Sequence, residues 1–364
     1  IGYGRASYEL ADDITAYAEF SYAKTSGRAQ TLPARNEQAT PIVIRMDNPF
    51  IPVALRDKIN ALNALPQNAN NQITSFNVGR NSVDLGYQRS LIINETKRGV
   101  LGVDAGLGGD WKLGAAAIYG ENRYEQNVAH NRIRNNFIYA ADVVMTANGP
   151  ACRAVVQGIA AAAGCVPMNI FGQGSPSQAA ADYVTGTTFS ETKYKQFAAN
   201  INIDGTVFHT WAGPVSLAIG AEYRKEEQDT YVDPRAEAAG YESSNARSLT
   251  GEFNVKEAYL ETVVPLARDL PLLRSLDVQG AVRLTDYSTM GSVTTWKAGV
   301  TWEPVRDLMV RGTISRDIRA PNIFELFTPA VSTILTRTWT TGVNGGPAGQ
   351  LATENLTRGN ADLD

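Results

Sequence analysis

Val293-Thr294-Thr295-Trp296-Lys297-Ala298-Gly299-Val300-Thr301-Trp302 carries the two-residue rhythm that decides the fold. Thr294, Trp296, Ala298, Val300 and Trp302 share one parity; Val293, Thr295, Lys297, Gly299 and Thr301 share the other. Successive side chains of a strand point to opposite faces, so the segment has one apolar side and one polar side. About ten residues is also the length that a tilted strand needs to cross a bilayer.

The rhythm recurs along the chain and predicts about ten strands. The others lie at 3–10, 13–25, 98–107, 111–125, 196–208, 215–227, 253–264, 276–286 and 308–315. In 276–286, Leu276, Val278, Gly280, Val282 and Leu284 oppose Asp277, Gln279, Ala281, Arg283 and Thr285. The connections near 11–12, 108–110, 212–214, 266–274 and 304–307 are short. Those at 28–82, 128–188, 229–250 and 318–364 are long, and the two classes alternate except at a short turn, Met290-Gly291. Strands running up and down a membrane, with short turns at one face and long loops at the other, produce this alternation. Trp111, Trp211 and Trp302 fall beside short turns, and Tyr22, Tyr119 and Tyr223 toward the opposite ends of their strands. Two interfacial aromatic belts account for that placement. The fold class expected is all-β, a transmembrane antiparallel β-barrel fragment with long extracellular loops. A soluble β-sandwich or carbohydrate-binding β-protein also alternates. It does not explain a charged second face, loops sorted by length, or Trp on one rim.

The composition bounds the function. The 364 residues are 43% apolar with a formal net charge of −4, which excludes a disordered or collagen-like chain. No apolar run approaches the roughly 18 residues of a membrane helix. A barrel leaves no such run, because lipid-facing and lumen-facing residues alternate. No basic stripe interleaved with aromatics points to nucleic acid. The chain starts at Ile1 inside an expected strand and stops at Asp364 just after a loop, so both ends read as cuts in a longer protein.

Catalytic patterns are missing. There is no G-x-S-x-G, H-E-x-x-H or C-x-x-C, and the two histidines, His130 and His209, have no evident partner. Gly106-Leu107-Gly108-Gly109-Asp110 has the glycines of a nucleotide loop, but no helix follows, so it reads as a hairpin. Glu226-Glu227-Gln228-Asp229 lacks the ligand spacing of a calcium loop and reads as a solvated strand end. No enzyme, cofactor or metal is expected. Cys152 and Cys165, the only cysteines, fall in one long external loop and read most simply as a disulfide. Two free thiols or a metal site remain the alternatives. On the polar faces, Asp104, Asp204, Glu222, Glu261, Asp277 and Lys297 line the lumen together with Arg224, Arg283 and Arg311. Arg316, Arg319 and Glu325 follow at the rim. Arg224, Arg283, Arg311, Arg316, Arg319 and Glu325 are the candidate contacts for a ligand or for whatever fills the barrel.

Arg311-Gly312-Thr313-Ile314-Ser315-Arg316-Asp317-Ile318-Arg319-Ala320-Pro321-Asn322-Ile323-Phe324-Glu325-Leu326 resembles the S-x-x-F/I-R-A-P-x-x-x-E-L stretch of TonB-dependent outer-membrane receptors. Ala218-Ile219-Gly220-Ala221-Glu222-Tyr223-Arg224 resembles their G-x-E-Y-R strand. Gly359-Asn360-Ala361-Asp362-Leu363 resembles their G-N-P-x-L segment, with Ala361 in place of Pro. Cys165-Val166-Pro167-Met168-Asn169-Ile170-Phe171-Gly172 resembles an extracellular-loop stretch of such receptors from sphingomonad-type bacteria. The resemblance covers much of 160–364. It implies a barrel of about 22 strands, of which residues 1–364 would be a partial barrel domain lacking the N-terminal plug and the C-terminal strands. It also implies energised uptake of a scarce solute, such as a siderophore-metal chelate or an oligosaccharide, across the cell outer membrane of a Gram-negative bacterium. The implied partners are outer-membrane lipid, the protein's own plug, the TonB complex and the small-molecule or oligosaccharide ligand. A passive porin remains the alternative, and an outer-membrane barrel enzyme would need a Ser/His pair at one rim.

The alternation generates a direct test. Val278→Arg or Val300→Arg is expected to cost about 2–4 kcal/mol at mid-membrane depth, and Gln279→Arg or Thr301→Arg much less. Unfolding of the full-length protein in lipid measures both; equal costs would show that the two parities do not separate lipid from lumen.

Overall fold

The computed structural model describes residues 1–36, 41–339 and 349–360. Ten strands form one antiparallel sheet: β1 (Gly2–Ala11), β2 (Ile14–Pro33), β3 (Tyr87–Gly108), β4 (Trp111–Arg132), β5 (Thr185–Thr210), β6 (Gly213–Val232), β7 (Leu249–Leu270), β8 (Leu273–Tyr287), β9 (Gly291–Val305) and β10 (Leu308–Arg316). Each strand pairs with its neighbours in sequence, and the sheet is open, with β1 and β10 at its edges. Such a meander satisfies backbone N–H and C=O groups within adjacent hairpins, as a chain inside lipid requires.

Register fixes the two faces. Ile219, Leu260, Val282 and Trp296 pair in one row across β6–β9, and Val264, Val278 and Val300 in another. These residues form the apolar outer face. Buried sheet residues such as Val100, Ala198, Gln228, Val255 and Thr285 have the opposite parity, that of the inner face. On β4 the outer apolar run Leu113, Ala115, Ala117, Tyr119 gives way to Glu121 and Arg123. On β6 the run Val215 to Tyr223 gives way to Lys225 and Glu227. A run of nine residues, at about 3.3 Å per residue and a tilt near 40°, covers roughly 23 Å, close to the ~25 Å apolar band of outer-membrane barrels.

Glycines mark where aromatic rings cross the inner wall. A Cβ on Gly102 would lie 2.2 Å from the Tyr17 ring, and one on Gly220 would lie 2.5 Å from the Tyr259 ring. Each ring therefore lies flat across the neighbouring strand. At the short turns, Gly108 (φ 95°) and Gly109 (φ 64°) supply the positive φ that a tight hairpin needs. Trp302 Nε1 donates to the Leu272 carbonyl at 2.8 Å, tying the aromatic belt to a short turn.

Several strands run beyond their expected ends. β2, β3, β4 and β5 extend well above the outer aromatic residues, where polar residues predominate on both faces and the alternation fades. The expected turn 266–274 narrows to Pro271-Leu272, because a register irregularity at Pro265/Ala267 lets β7 pass the proline. The tail, expected to be loop from 318 onward, instead holds the helix Ile323–Phe327 and a hairpin of Val331–Trp339 with Gly349–Thr357. Its helix is too short to show a 3.6-residue rhythm. Within the connection between β2 and β3, residues Val53–Asn63 form a helix.

The long excursions do not stand apart. Residues 41–86 contribute Ile42, Ile44, Ile51 and Leu85 to a core completed by Phe137, Met168, Ile170 and Val184 of the 133–184 excursion. Asn48 Nδ2 donates to the Ala141 carbonyl at 3.1 Å, and Arg80 Nε to the Ile170 carbonyl at 3.0 Å. A third excursion, 233–248, joins through Tyr241 against Ile133 and through the Arg132–Glu242 ion pair at 2.6 Å. The three make one lid. Within it Cys152 and Cys165 are disulfide-bonded across a separation of 13 residues, and Cys152 is buried.

Closing so short a loop is worth about 3 kcal/mol in the chain-entropy picture. Replacing both cysteines by Ser is therefore expected to raise protease cleavage within 145–170 while leaving β1–β10 resistant. Limited proteolysis with mass mapping checks this; unchanged lid cleavage would contradict it.

Candidate functional site

The inner wall holds three of the expected arginines, two of them in carboxylate pairs. Arg224 on β6 lies 3.4 Å from Glu222 and 3.2 Å from Glu226. Arg283 on β8 lies 3.4 Å from Glu257 and stacks 5.3 Å from the Tyr259 ring centroid, while Thr285 Oγ1 donates to Glu257 at 3.1 Å. The same arrangement recurs at the other side of the sheet. There Arg5 sits 4.5 Å over Tyr17 and 2.5 Å from Glu19, with Gly102 beneath the ring. Both assemblies stack a glycine, a tyrosine and an arginine over successive strands, with a glutamate two residues from the tyrosine. Arg311 on β10 also faces inward and contacts the Met309 sulfur at 3.9 Å. Arg316 pairs in register with Trp296, which puts it on the apolar face's parity at the end of β10, apart from the lumen residues.

Arg319 and Glu325 meet at the rim. The Arg319 guanidinium donates two hydrogen bonds to the Glu325 carboxylate, both at 2.9 Å. Glu325 also accepts from the Asn322 backbone N–H at 2.9 Å, and the Asn322 side chain accepts from the Glu325 N–H at 3.0 Å. This capping box starts the helix Ile323–Phe327. Gly359 N–H donates to the Thr328 carbonyl and Asn360 N–H to the Glu325 carbonyl, each at 2.8 Å. A Cβ at Gly359 would lie 2.5 Å from the Thr328 nitrogen, so only glycine fits. Phe327 packs against Gly251 at the start of β7. The two sequence stretches around 319–326 and 359–360 thus form one physical unit; Ala361, Asp362 and Leu363 lie outside the described residues.

Above the inner wall the upper ends of β3 and β4 and the lid together supply groups that the sequence did not single out. Gln88 Nε2 donates to Asn131 Oδ1 at 3.2 Å and to Ser243 Oγ at 3.0 Å, and Asn131 Nδ2 donates to the Ser243 carbonyl at 2.7 Å. Next to this cluster a cleft of about 230 Å³ opens between the inner ends of β4 and β5 (Gln126, Thr188, Ser190) and the segment Ser244–Ala246. Only scattered amides and hydroxyls at loop ends signalled it in sequence. Elsewhere in the lid, burial pushes the Asp84 carboxyl up. The Arg80 guanidinium at 2.6 Å and the Gly174 N–H outweigh this and hold it below the ordinary carboxylate value. Arg153 is held charged by Asp47 and Asp142. Among the described residues, no group of three or more His, Cys, Asp or Glu is placed to hold a metal ion.

The family model for the TonB dependent receptor-like beta-barrel matches residues 10–364. The chain belongs to that family, one of outer-membrane transporters and receptors rather than enzymes. Among solved structures it is similar to the siderophore receptor PirA from Acinetobacter baumannii, with 15% identity, a TM-score of 0.44, and coverage of 99% of this chain and 38% of that one. PirA from Pseudomonas aeruginosa matches with 14% identity and a TM-score of 0.35, over 99% and 49%. A ferric enterobactin receptor mutant from Pseudomonas aeruginosa (PfeA), in complex with enterobactin, matches with 10% identity and a TM-score of 0.33, again over 99% and 49%. The chain therefore spans less than half of each of these receptors. No curated protein sequence matches it significantly.

The rim unit has a defined pH response. The Arg319 guanidinium and the Asn322 N–H hold the Glu325 carboxyl below its ordinary value of 4.5. A carboxyl lowered by folding stabilises the fold above its unfolded value, and that contribution fades as pH falls through the folded one. Amide exchange at Glu325–Thr328, corrected for intrinsic rate, is expected to stay constant from pH 7 to about 5 and to accelerate in acid. In Glu325→Gln the acid step should vanish; a step that survives would assign it to another group.

Proposed function

We propose that the complete protein takes up a scarce solute, a siderophore-metal chelate or an oligosaccharide, across the outer membrane, driven through TonB. Family membership over residues 10–364 is the observation that carries this reading. The ten-stranded sheet, apolar outside and polar inside, is a section of a larger barrel whose interior a plug fills. The long excursions face the exterior and receive the ligand, and the short turns face the periplasm. Two features support capture rather than simple leakage. The three excursions are fastened into a lid, where a passive pore needs only an open mouth. Arg224, Arg283 and Arg5 are each paired with glutamate on the wall itself, so these lumen charges are held in fixed ion pairs.

Uptake distinguishes the energised receptor from a porin. In a strain deleted for this gene, restored growth on the limiting solute is expected to require both the full-length gene and an intact TonB system. Growth that survives loss of TonB, together with solute flux through the purified protein in liposomes, would assign a passive pore instead.

A further inference from the structure

The inner and outer faces of β2–β6 diverge in charge above the aromatic belt. Consider the stretches 23–29, 90–96, 122–128, 188–194 and 228–232, which lie side by side in register. On the outer face they carry Lys24, Glu95, Arg123, Glu125, Glu191 and Lys193. On the inner face every side chain is uncharged. One inner row reads Thr25, Asn94, Tyr124, Thr192, Thr230, and the next reads Ala23, Thr96, Asn122, Tyr194, Gln228. All the charged residues of these stretches thus lie on the outer face, among apolar and neutral ones, and the inner face carries none.

The neutral groups already form hydrogen-bonded sets. Asn122 Nδ2 donates to Asn94 Oδ1 at 2.5 Å and to Thr96 Oγ1 at 2.7 Å. The Thr192 and Thr230 hydroxyls lie 3.0 Å apart. Tyr194 keeps 36% of its surface exposed, and Gln126 leads upward into the cleft beneath Ser244–Ala246. The first inner charges lie just below this band and have partners: Arg98 is 4.0 Å from Glu19, and Glu226 is 3.2 Å from Arg224. An anionic ligand at the band would lose hydration and meet no cation on the inner face of these five stretches to replace it, which is costly. A ligand with many hydroxyls and no charge meets amides and hydroxyls that donate and accept, and tyrosine rings that cover its apolar faces.

We propose that this band, with the cleft above it, binds a neutral polyhydroxylated ligand, a sugar chain. The proposal rests on the uptake reading and narrows its substrate class.

The test uses the full-length receptor in detergent on an array bearing neutral oligosaccharides, acidic oligosaccharides, and immobilised ferric catecholate and hydroxamate chelates. Binding is expected on one or more neutral oligosaccharides, insensitive to salt. Tyr194→Ala and Gln126→Ala should each weaken it about tenfold, the scale of a lost stacking or hydrogen-bonding contact. Tyr194→Phe keeps the ring and should retain most of the affinity, which separates ligand contact from loss of fold. Binding confined to chelates or acidic sugars, silence on every neutral oligosaccharide, or indifference to both alanine variants would overturn the proposal. A chelate-only result would leave energised uptake standing, whereas TonB-independent growth would remove it whatever the array shows.

Discussion

Backbone hydrogen bonding in a medium without water is the constraint on which the rest of this structure depends. An unpaired N–H or C=O in hydrocarbon costs several kcal/mol, so each strand must pair along its whole immersed length. Pairing with the sequence neighbour satisfies the requirement with the least chain between partners, and β1–β10 follow that order without exception. Once the ladder is set, side-chain direction is no longer free. Every second residue faces lipid and every other one the interior, which is why a one-residue shift in Val278 or Val300 would invert both surfaces.

The same ladder continues past the membrane, where its purpose changes. Above the aromatic belt nothing forces the outer face to be apolar, and it becomes an ion-pair lattice in which Lys24 and Lys97 share Glu95, and Lys225 bridges Glu227 and Glu252. Exposed pairs of this kind contribute little stability individually. They keep the projecting strands soluble and regular without apolar surface. The extended strands then carry the lid, while the β8–β9 hairpin stops short at Tyr287–Gly291. The helix Ile323–Phe327, packed on Gly251 of β7, is the rim element that follows β10.

What could be read from sequence was what lipid dictates. The runs Leu276–Leu284 and Trp296–Trp302 alternate because one side meets hydrocarbon, and Gly108-Gly109 marks its turn because the backbone there needs positive φ. Where water replaces lipid, the code weakens. Residues 87–97 and 185–195 are strand although neither keeps one apolar and one polar face: Leu91-Ile92-Ile93 puts apolar residues on both sides, and Phe189 and Tyr194 fall on opposite ones, so no period-2 pattern exposes them. The lid core is harder still. Ile44 and Met168 are both 1% exposed, yet they come from segments more than a hundred residues apart, and neither segment shows a pattern that requires the other. The Arg319–Glu325 unit was visible as a motif, but its link to Gly359 and Asn360 is a backbone contact, legible only in three dimensions. Arg316 sits at a strand end, where parity rather than chemistry decides which way it belongs.

The shared core of the lid also bears on how such a protein can change over generations. Loops on a barrel are usually regarded as interchangeable parts, each free to lengthen, shrink or be replaced. Here the excursions 41–86 and 133–184 each hold half of one apolar interior, and Asn48, Arg80 and Arg153 each reach from one half to the other or bind a group that does. A transplant of either excursion alone would leave the other half exposed to water. The unit that can be inherited intact is therefore a pair of distant gene segments that must be exchanged, or must drift, together.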